Sequence, residues 1–498
     1  MTANPPPTNL PPTTVPPSAA QSPAADPPPA APVDLLLEGG AVVTMDGARR
    51  VFAAGWVAVT GPTITAVGEG PPPAARRRVD TAGHVVIPGL ISVHQHAMDV
   101  PLRAARRRPT DFLDWLLGVY SRGVTAMGPH DASLAATMAV LEAQRAGITT
   151  FCDNWGVGGG VDPGRDRGCV DATITAYRRA GARVLVARML GDTLPPGWAA
   201  AARAHGVDPA SLIGPTDRVT DTLAALMADH PAGRLVTVCP APELPEMASP
   251  RLRATVTAMA REAGVPVCTH LAASPTSARA APLADLDGEG FLGGHLLGAH
   301  VSAVNAGDIA LLAARDVRVA HCPGATGALA GAVTPVVAMR AAGMTVGLGT
   351  DNPSLNPRVD LLEEGRWAAR LARLHDGDPT VLPESDILAL ATVDGARCLG
   401  LDGLVGALVP GLRADVTVID ARGPHWWPRA DPVSAVVRSA RPGDVRHVLV
   451  DGRLVLADGA PTWLSTTGLA TLGTETQRAA DDLLARTGLD QHDEGDGG

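Results

Sequence analysis

The chain has 498 residues, 46% hydrophobic and 18% charged, with a formal net charge of −10. That is the composition of a globular protein with room for one barrel-sized domain and an appended module. The negative balance argues against nucleic acid as a partner, because phosphate binding needs a concentrated basic surface. Arg106, Arg107 and Arg108 come nearest to a basic run and read as a solvated loop. All 41 basic residues are arginine. The absence of lysine excludes a Walker-type phosphate lysine, a Schiff-base lysine and a carbamylated lysine bridging two metals.

Residues 1–32 carry twelve of the 45 prolines and almost no charge, so they are expected to form a disordered tail. Residues 33–82 hold short apolar runs such as Leu35-Leu36-Leu37 and Trp56-Val57-Ala58-Val59, which predict strands and hairpins. Residues 83–402 then alternate apolar β-rich runs with Ala- and Arg-rich segments of helical length. The predicted strands cover 85–96, 148–154, 183–189, 235–240, 265–270, 297–301, 317–322 and 344–351. Each is almost continuously apolar, as expected of strands covered on both faces. Strands return in 403–462, for example Asp415-Val416-Thr417-Val418-Ile419-Asp420, and 463–498 read as a C-terminal helix and an acidic flexible tail. The predicted fold is α/β: a (β/α)8 TIM barrel with a flanking β-sandwich built from both ends of the domain.

The six cysteines are scattered, without a C-x-x-C pair, which points to a reducing compartment. No apolar run reaches the length of a membrane span, and the N-terminus lacks a signal-peptide layout. A cytoplasmic protein without a membrane partner is expected, and a homo-oligomer is left open.

In a barrel of this kind the active site lies at the C-terminal ends of the strands. His94 and His96 end the first predicted strand, and a period of two puts both imidazoles on one face. His270 ends the fifth and Asp351 the eighth. Three imidazoles and a carboxylate suit one divalent ion, Zn2+ first and Fe2+ second, with room for a water. Such a set lowers the pKa of that water toward about 7, and Asp351 could accept its proton. His300 and His321 end two further strands, where a satisfied core histidine competes with a catalytic one.

The run Ile87-Pro88-Gly89-Leu90-Ile91-Ser92-Val93-His94-Gln95-His96 resembles the P-G-[LF]-[IV]-[DN]-x-H-x-H motif that opens the amidohydrolase superfamily. Thr269-His270, Gly298-Ala299-His300-Val301, Ala320-His321-Cys322-Pro323 and Gly347-Leu348-Gly349-Thr350-Asp351 match its later strand ends in order. The resemblance covers about residues 34 to 462, and within the superfamily the chain is similar to the branch of cytosine, guanine and S-adenosylhomocysteine deaminases and triazine hydrolases. It implies a mononuclear site held by His94, His96, His270 and Asp351, with His300 shuttling a proton and His321 at the substrate.

Two departures stand out. The stretch His270-Leu271-Ala272-Ala273 has Ala273 where many deaminases carry the glutamate of H-x-x-E, and alanine cannot transfer a proton. His321-Cys322-Pro323-Gly324-Ala325-Thr326 replaces H-x-P-x-S-N. The expected activity is metal-dependent hydrolysis of a non-peptide carbon–nitrogen bond in a small molecule, a nitrogen heterocycle above all. Hydrolytic dehalogenation or ring opening at the same metal site is the alternative, followed by a non-catalytic ligand-binding relative.

Overall fold

A computed structural model describes residues 31–106, 111–156, 160, 162–329, 332–429 and 431–491. Most of the proline-rich tail, Arg107, Arg108 and the acidic end lie outside the described residues. Eight parallel strands carry the centre of the molecule: β1 (Leu90–Gln95), β2 (Ile148–Trp155), β3 (Arg183–Leu190), β4 (Val236–Pro242), β5 (Val267–Leu271), β6 (Leu296–His300), β7 (Arg318–His321) and β8 (Val346–Leu348). They pair in sequence order as two four-stranded sheets, β1 to β4 and β5 to β8. The sheets touch through backbone at both ends. Asp351 N donates to His94 O at 3.1 Å, and His270 N donates to Glu243 O at 3.2 Å.

Nearly every residue of these strands is buried, because helices cover the sheets between successive strands. The helix Pro163–Ala180 shows how the sequence sets such an element. Asp162 caps it by accepting from Arg165 N at 2.9 Å, proline occupies its first turn, and Gly181 stops it at φ 67°; a left-handed residue there favours glycine.

The predicted strand 85–96 is two strands. His84–Pro88 pairs antiparallel with Val416–Asp420 and parallel with Ala41–Val43, in a different sheet from β1. The break falls at Pro88-Gly89. Proline has no N–H to continue a ladder, and a side chain at Gly89 would collide with Thr149. The predicted strand 344–351 forms a continuous ladder only over Val346–Leu348; beyond it Asp351 makes a single bridge to Gln95 and sits at φ 60°.

The segments flanking the parallel strands form two sheets. One has four strands in the order Thr63–Glu69, Gly55–Thr60, Val33–Glu38, Ala75–Asp80. The other has seven and mixes both ends of the chain, joining Ala41–Val43 and Val51–Phe52 through His84–Pro88 to Val416–Asp420, Val445–Val450, Arg453–Ala457 and Ala460–Pro461. Leu37, Val57 and Ile64 of the first share one apolar cluster with Val42, Val86 and Val418 of the second. Arg183 ties β3 to these strands, donating to both Asp415 carboxylate oxygens at 3.1 Å and to Asp451. The helix Thr466–Thr487 packs Leu472 and Ala479 on Leu134 and Leu141 of the helix Pro129–Arg145. Among the described residues no helix is long and apolar enough to cross a membrane.

Candidate metal centre

Every residue expected to bind metal comes to one point. His94 lies in β1 and His96 just beyond it, so the strand period aims both imidazoles the same way. Their Nε2 atoms are 3.1 Å apart. His270 on β5 brings its Nε2 to 3.3 Å from that of His96. Asp351 Oδ1 lies 3.3 Å from His94 Nε2 and 3.5 Å from His96 Nε2. Nitrogen lone pairs at such distances repel unless a cation or proton lies among them. Asp351 Oδ1 is fully buried and makes no hydrogen bond, a costly state for an anionic oxygen. The donor set therefore fits a divalent metal.

The outer edges of the rings are held by other groups. His270 Nδ1 donates to Glu243 O at 2.6 Å, which leaves its Nε2 lone pair facing the centre. His94 Nδ1 is 2.7 Å from the Asn154 side-chain amide at the end of β2. A ligating His94 must donate from Nδ1, so Asn154 must present its oxygen. His96 Nδ1 lies 3.5 Å from the Tyr120 hydroxyl, which donates to Gly156 O at 3.1 Å. Asp153 accepts from Ala97 N at 2.8 Å and from the Tyr177 hydroxyl at 2.6 Å, fixing the backbone immediately after His96.

Burial lowers the pKa of His96, takes His270 down to about 3 and takes His300 down to about 4. These imidazoles are neutral at pH 7, as metal ligation and proton acceptance require. Burial would raise the Asp351 carboxyl, but His300, His94 and His96 outweigh it and hold it far below the usual range.

His300 ends β6 with Nε2 3.8 Å from Asp351 Oδ2. Both His300 and Asp351 adopt left-handed backbone, at φ 70° and 60°. For residues other than glycine this costs on the order of 1 to 3 kcal/mol, and it recurs where a side chain must be aimed. His321 is buried at the end of β7, and burial lowers it to about 4. It is not among the described residues that line the cavity beside the centre. That cavity has a volume of about 420 Å³, and His96, His270, His300, Asp351 and Ala273 contribute to its wall.

Sequence reasoning did not single out Asn154, Tyr120, Glu243 or Glu246, of which the last three line the cavity. Asn154 ends a predicted strand, and the rule that selected His270 could have found it. Glu243 and Glu246 follow the fourth strand directly, but that strand was expected to stop at residue 240 and runs to Pro242.

The loop after β7 is fixed by a buried acid. Glu364 accepts from Gly324 N at 2.9 Å and from Asn356 Nδ2 at 2.7 Å, and Asn356 also donates to Thr350 O, beside Asp351. Burial raises the Glu364 pKa to about 8. The folded protein thus keeps a proton that the unfolded chain loses at an ordinary glutamate value. Stability from this group is complete below about pH 4.5 and drains away as pH rises to about 8, by at most about 1.4 kcal/mol per pH unit. Denaturant unfolding of wild type and Glu364→Gln across this range should show the wild type losing ground steadily, then levelling off. A constant difference would mean that Glu364 is ionised throughout.

The sequence pattern of the amidohydrolase family matches residues 85–455. The chain is 32% identical over 439 residues to the 5-methylthioadenosine/S-adenosylhomocysteine deaminase of Syntrophobacter fumaroxidans, covering 85% of this chain and 93% of that protein. It is 28% identical to the 5'-deoxyadenosine deaminase of Methanosarcina mazei, covering 91% and 99%. Among solved structures, a zinc-bound adenosine deaminase from Xanthomonas campestris superposes with a TM-score of 0.78 at 26% identity, covering 92% of this chain and all of that one. A zinc complex of atrazine chlorohydrolase from Arthrobacter aurescens superposes at 0.80 with 24% identity, covering 90% and 100%, a likeness of fold.

Proposed function

Since the chain belongs to the amidohydrolase family, metal-dependent hydrolases of carbon–nitrogen bonds other than peptide bonds, we propose that it deaminates a small aminated heterocycle of the adenine type, with one divalent ion held by His94, His96, His270 and Asp351. The observation that carries this reading is the convergence of the His94, His96 and His270 nitrogens, with the buried Asp351 Oδ1 set against the first two. The relatives named as deaminases of adenosine derivatives support the substrate class.

A metal bound there, zinc by the nature of the donors, supplies Lewis acidity toward water and toward the carbon under attack. The protein does the rest. Glu243 O, Asn154 and Tyr120 hold the three rings at their outer edges, so the site needs little rearrangement to work. Asp351, kept ionised, takes the proton of the attacking water through the oxygen that faces His300. His300, kept neutral, relays a proton toward the departing nitrogen. His321, buried near His300 but outside the cavity wall, backs His300 from behind.

We read the two parallel sheets as one (β/α)8 barrel over residues 83–402, supported by the backbone contacts at both seams. The outer sheets are read as a β-sandwich over 33–82 and 403–462, supported by their shared apolar cluster. Six buried free cysteines favour a reducing, cytoplasmic setting.

Zinc-loaded protein incubated with aminated purines, pyrimidines and triazines, and with their chlorinated counterparts, should release ammonia from a purine-type ring. Chloride release in its place would move the reaction to dehalogenation. Inertness toward all of them would refute the proposal.

A further inference from the structure

Two groups on the cavity wall have no part in the chemistry above. Glu246 lies in the short turn Pro245–Met247 that follows β4, and Ser277 in the helix Pro275–Ala280 that follows β5, one turn beyond Ala273. Both line the cavity that holds His270 and His300. Glu246 Oε2 and Ser277 Oγ are buried beside one another with no hydrogen-bond partner outside the pair, and Ser277 is only 4% exposed. A polar pair desolvated in this way is costly unless a ligand completes it.

The surroundings define what the ligand must offer. Arg253, whose charge acts on Glu246, is engaged elsewhere: it donates to both Glu289 carboxylate oxygens and to the Pro245 and Ala248 carbonyls. No arginine is found among the described residues of the cavity wall, whereas Asp111, Glu243, Glu246 and Asp351 are, and the chain has no lysine. Aromatic and aliphatic side chains such as Phe112, Trp115, Trp198 and Leu329 make up much of the remainder. A divalent ion at Asp351 offsets that carboxylate, and the other three leave the remainder of the wall acidic and without a fixed side-chain cation, which selects against anionic ligands.

We propose that Glu246 and Ser277 form a subsite that receives a hydrogen-bond donor of the substrate, and that the substrate is therefore neutral or cationic and carries no net negative charge. The inference rests on the functional reading above, which makes this cavity the substrate's. It also gives Glu246 a part on the wall that Ala273 leaves bare, as a group that sets specificity. Burial raises the Glu246 carboxyl above its usual value, against the opposing hydrogen bond from Ser277.

Three adenosine derivatives that differ only at the 5' position provide the test: 5'-amino-5'-deoxyadenosine, 5'-deoxyadenosine and adenosine-5'-carboxylate. Their affinities for the zinc-loaded full chain are read as KM where ammonia is released, and as Kd by calorimetry where it is not. The expected order is amine, then deoxy, then carboxylate, with at least about a tenfold span between the extremes, the effect of one charged hydrogen bond. Glu246→Gln should shrink that span to about threefold or less, and Ser277→Ala should shrink it partly. Zinc content and thermal midpoint serve as the check on folding. A carboxylate that binds as well as the amine, an unchanged span in Glu246→Gln, or no binding by any of the three would overturn the assignment. Failure of the proposed reaction would show differently, as the expected order of binding without ammonia release.

Discussion

Replacing His94 and His96 together with alanine should empty the metal site and abolish turnover. His94, His96 and His270 offer ligand atoms within 4.8 Å of one another, and the pair supplies two of these three and two of the four donors assigned with Asp351. Only His270 and Asp351 would remain, below the three protein ligands that catalytic zinc sites keep. The loss should also appear in stability. An ion that binds only the folded chain raises stability by RT ln(1 + [L]/Kd), about 2.7 kcal/mol at a hundredfold excess over Kd. Added zinc should therefore raise the wild-type thermal midpoint and leave that of the double variant unchanged. Full metal occupancy in the double variant, measured by elemental analysis, would refute the ligand assignment.

The second large effect separates Asp351 from His300. Asp351→Asn keeps an oxygen that can face the metal but loses the charge and the base, so some metal should stay while turnover disappears. His300 stands 3.8 Å from the carboxylate, toward the open cavity. His300→Asn should leave metal content near one ion per chain and slow the reaction by about 10² to 10⁴, the usual range for one general acid or base. The comparison requires metal-replete protein, because a metal deficit imitates a catalytic defect. If His300→Asn loses the metal while Asp351→Asn stays active, the carboxylate is structural and the imidazole is the ligand.

Much of this site was legible in the sequence because its parts obey short-range rules. The period of two in Val93-His94-Gln95-His96 fixes which side chains share a face, and apolar runs that end in His270, His300 and Asp351 mark strand ends. What lay beyond reach depends on contacts between distant segments. Nothing local reveals that Asn154 will meet His94, or that Tyr120, which precedes the second strand by about thirty residues, will close over His96. The break at Pro88-Gly89 was visible as two residues but not as a change of sheet, because the apolar pattern runs through it. Glu243 and Glu246 were hidden for a different reason: a strand two residues longer than expected moved the loop that carries them. The empty position at Ala273 could be read from the motif, while the buried Glu246 and Ser277 pair on the same wall required the fold.

The most direct test of the account is a zinc titration. Protein stripped of metal is titrated with zinc while ammonia release from 5'-deoxyadenosine is followed. The metal-dependent deaminase described here should start inactive, gain rate in proportion to bound zinc and reach its plateau near one ion per chain. Turnover that survives complete stripping, or a plateau of bound zinc with no ammonia released, would contradict it.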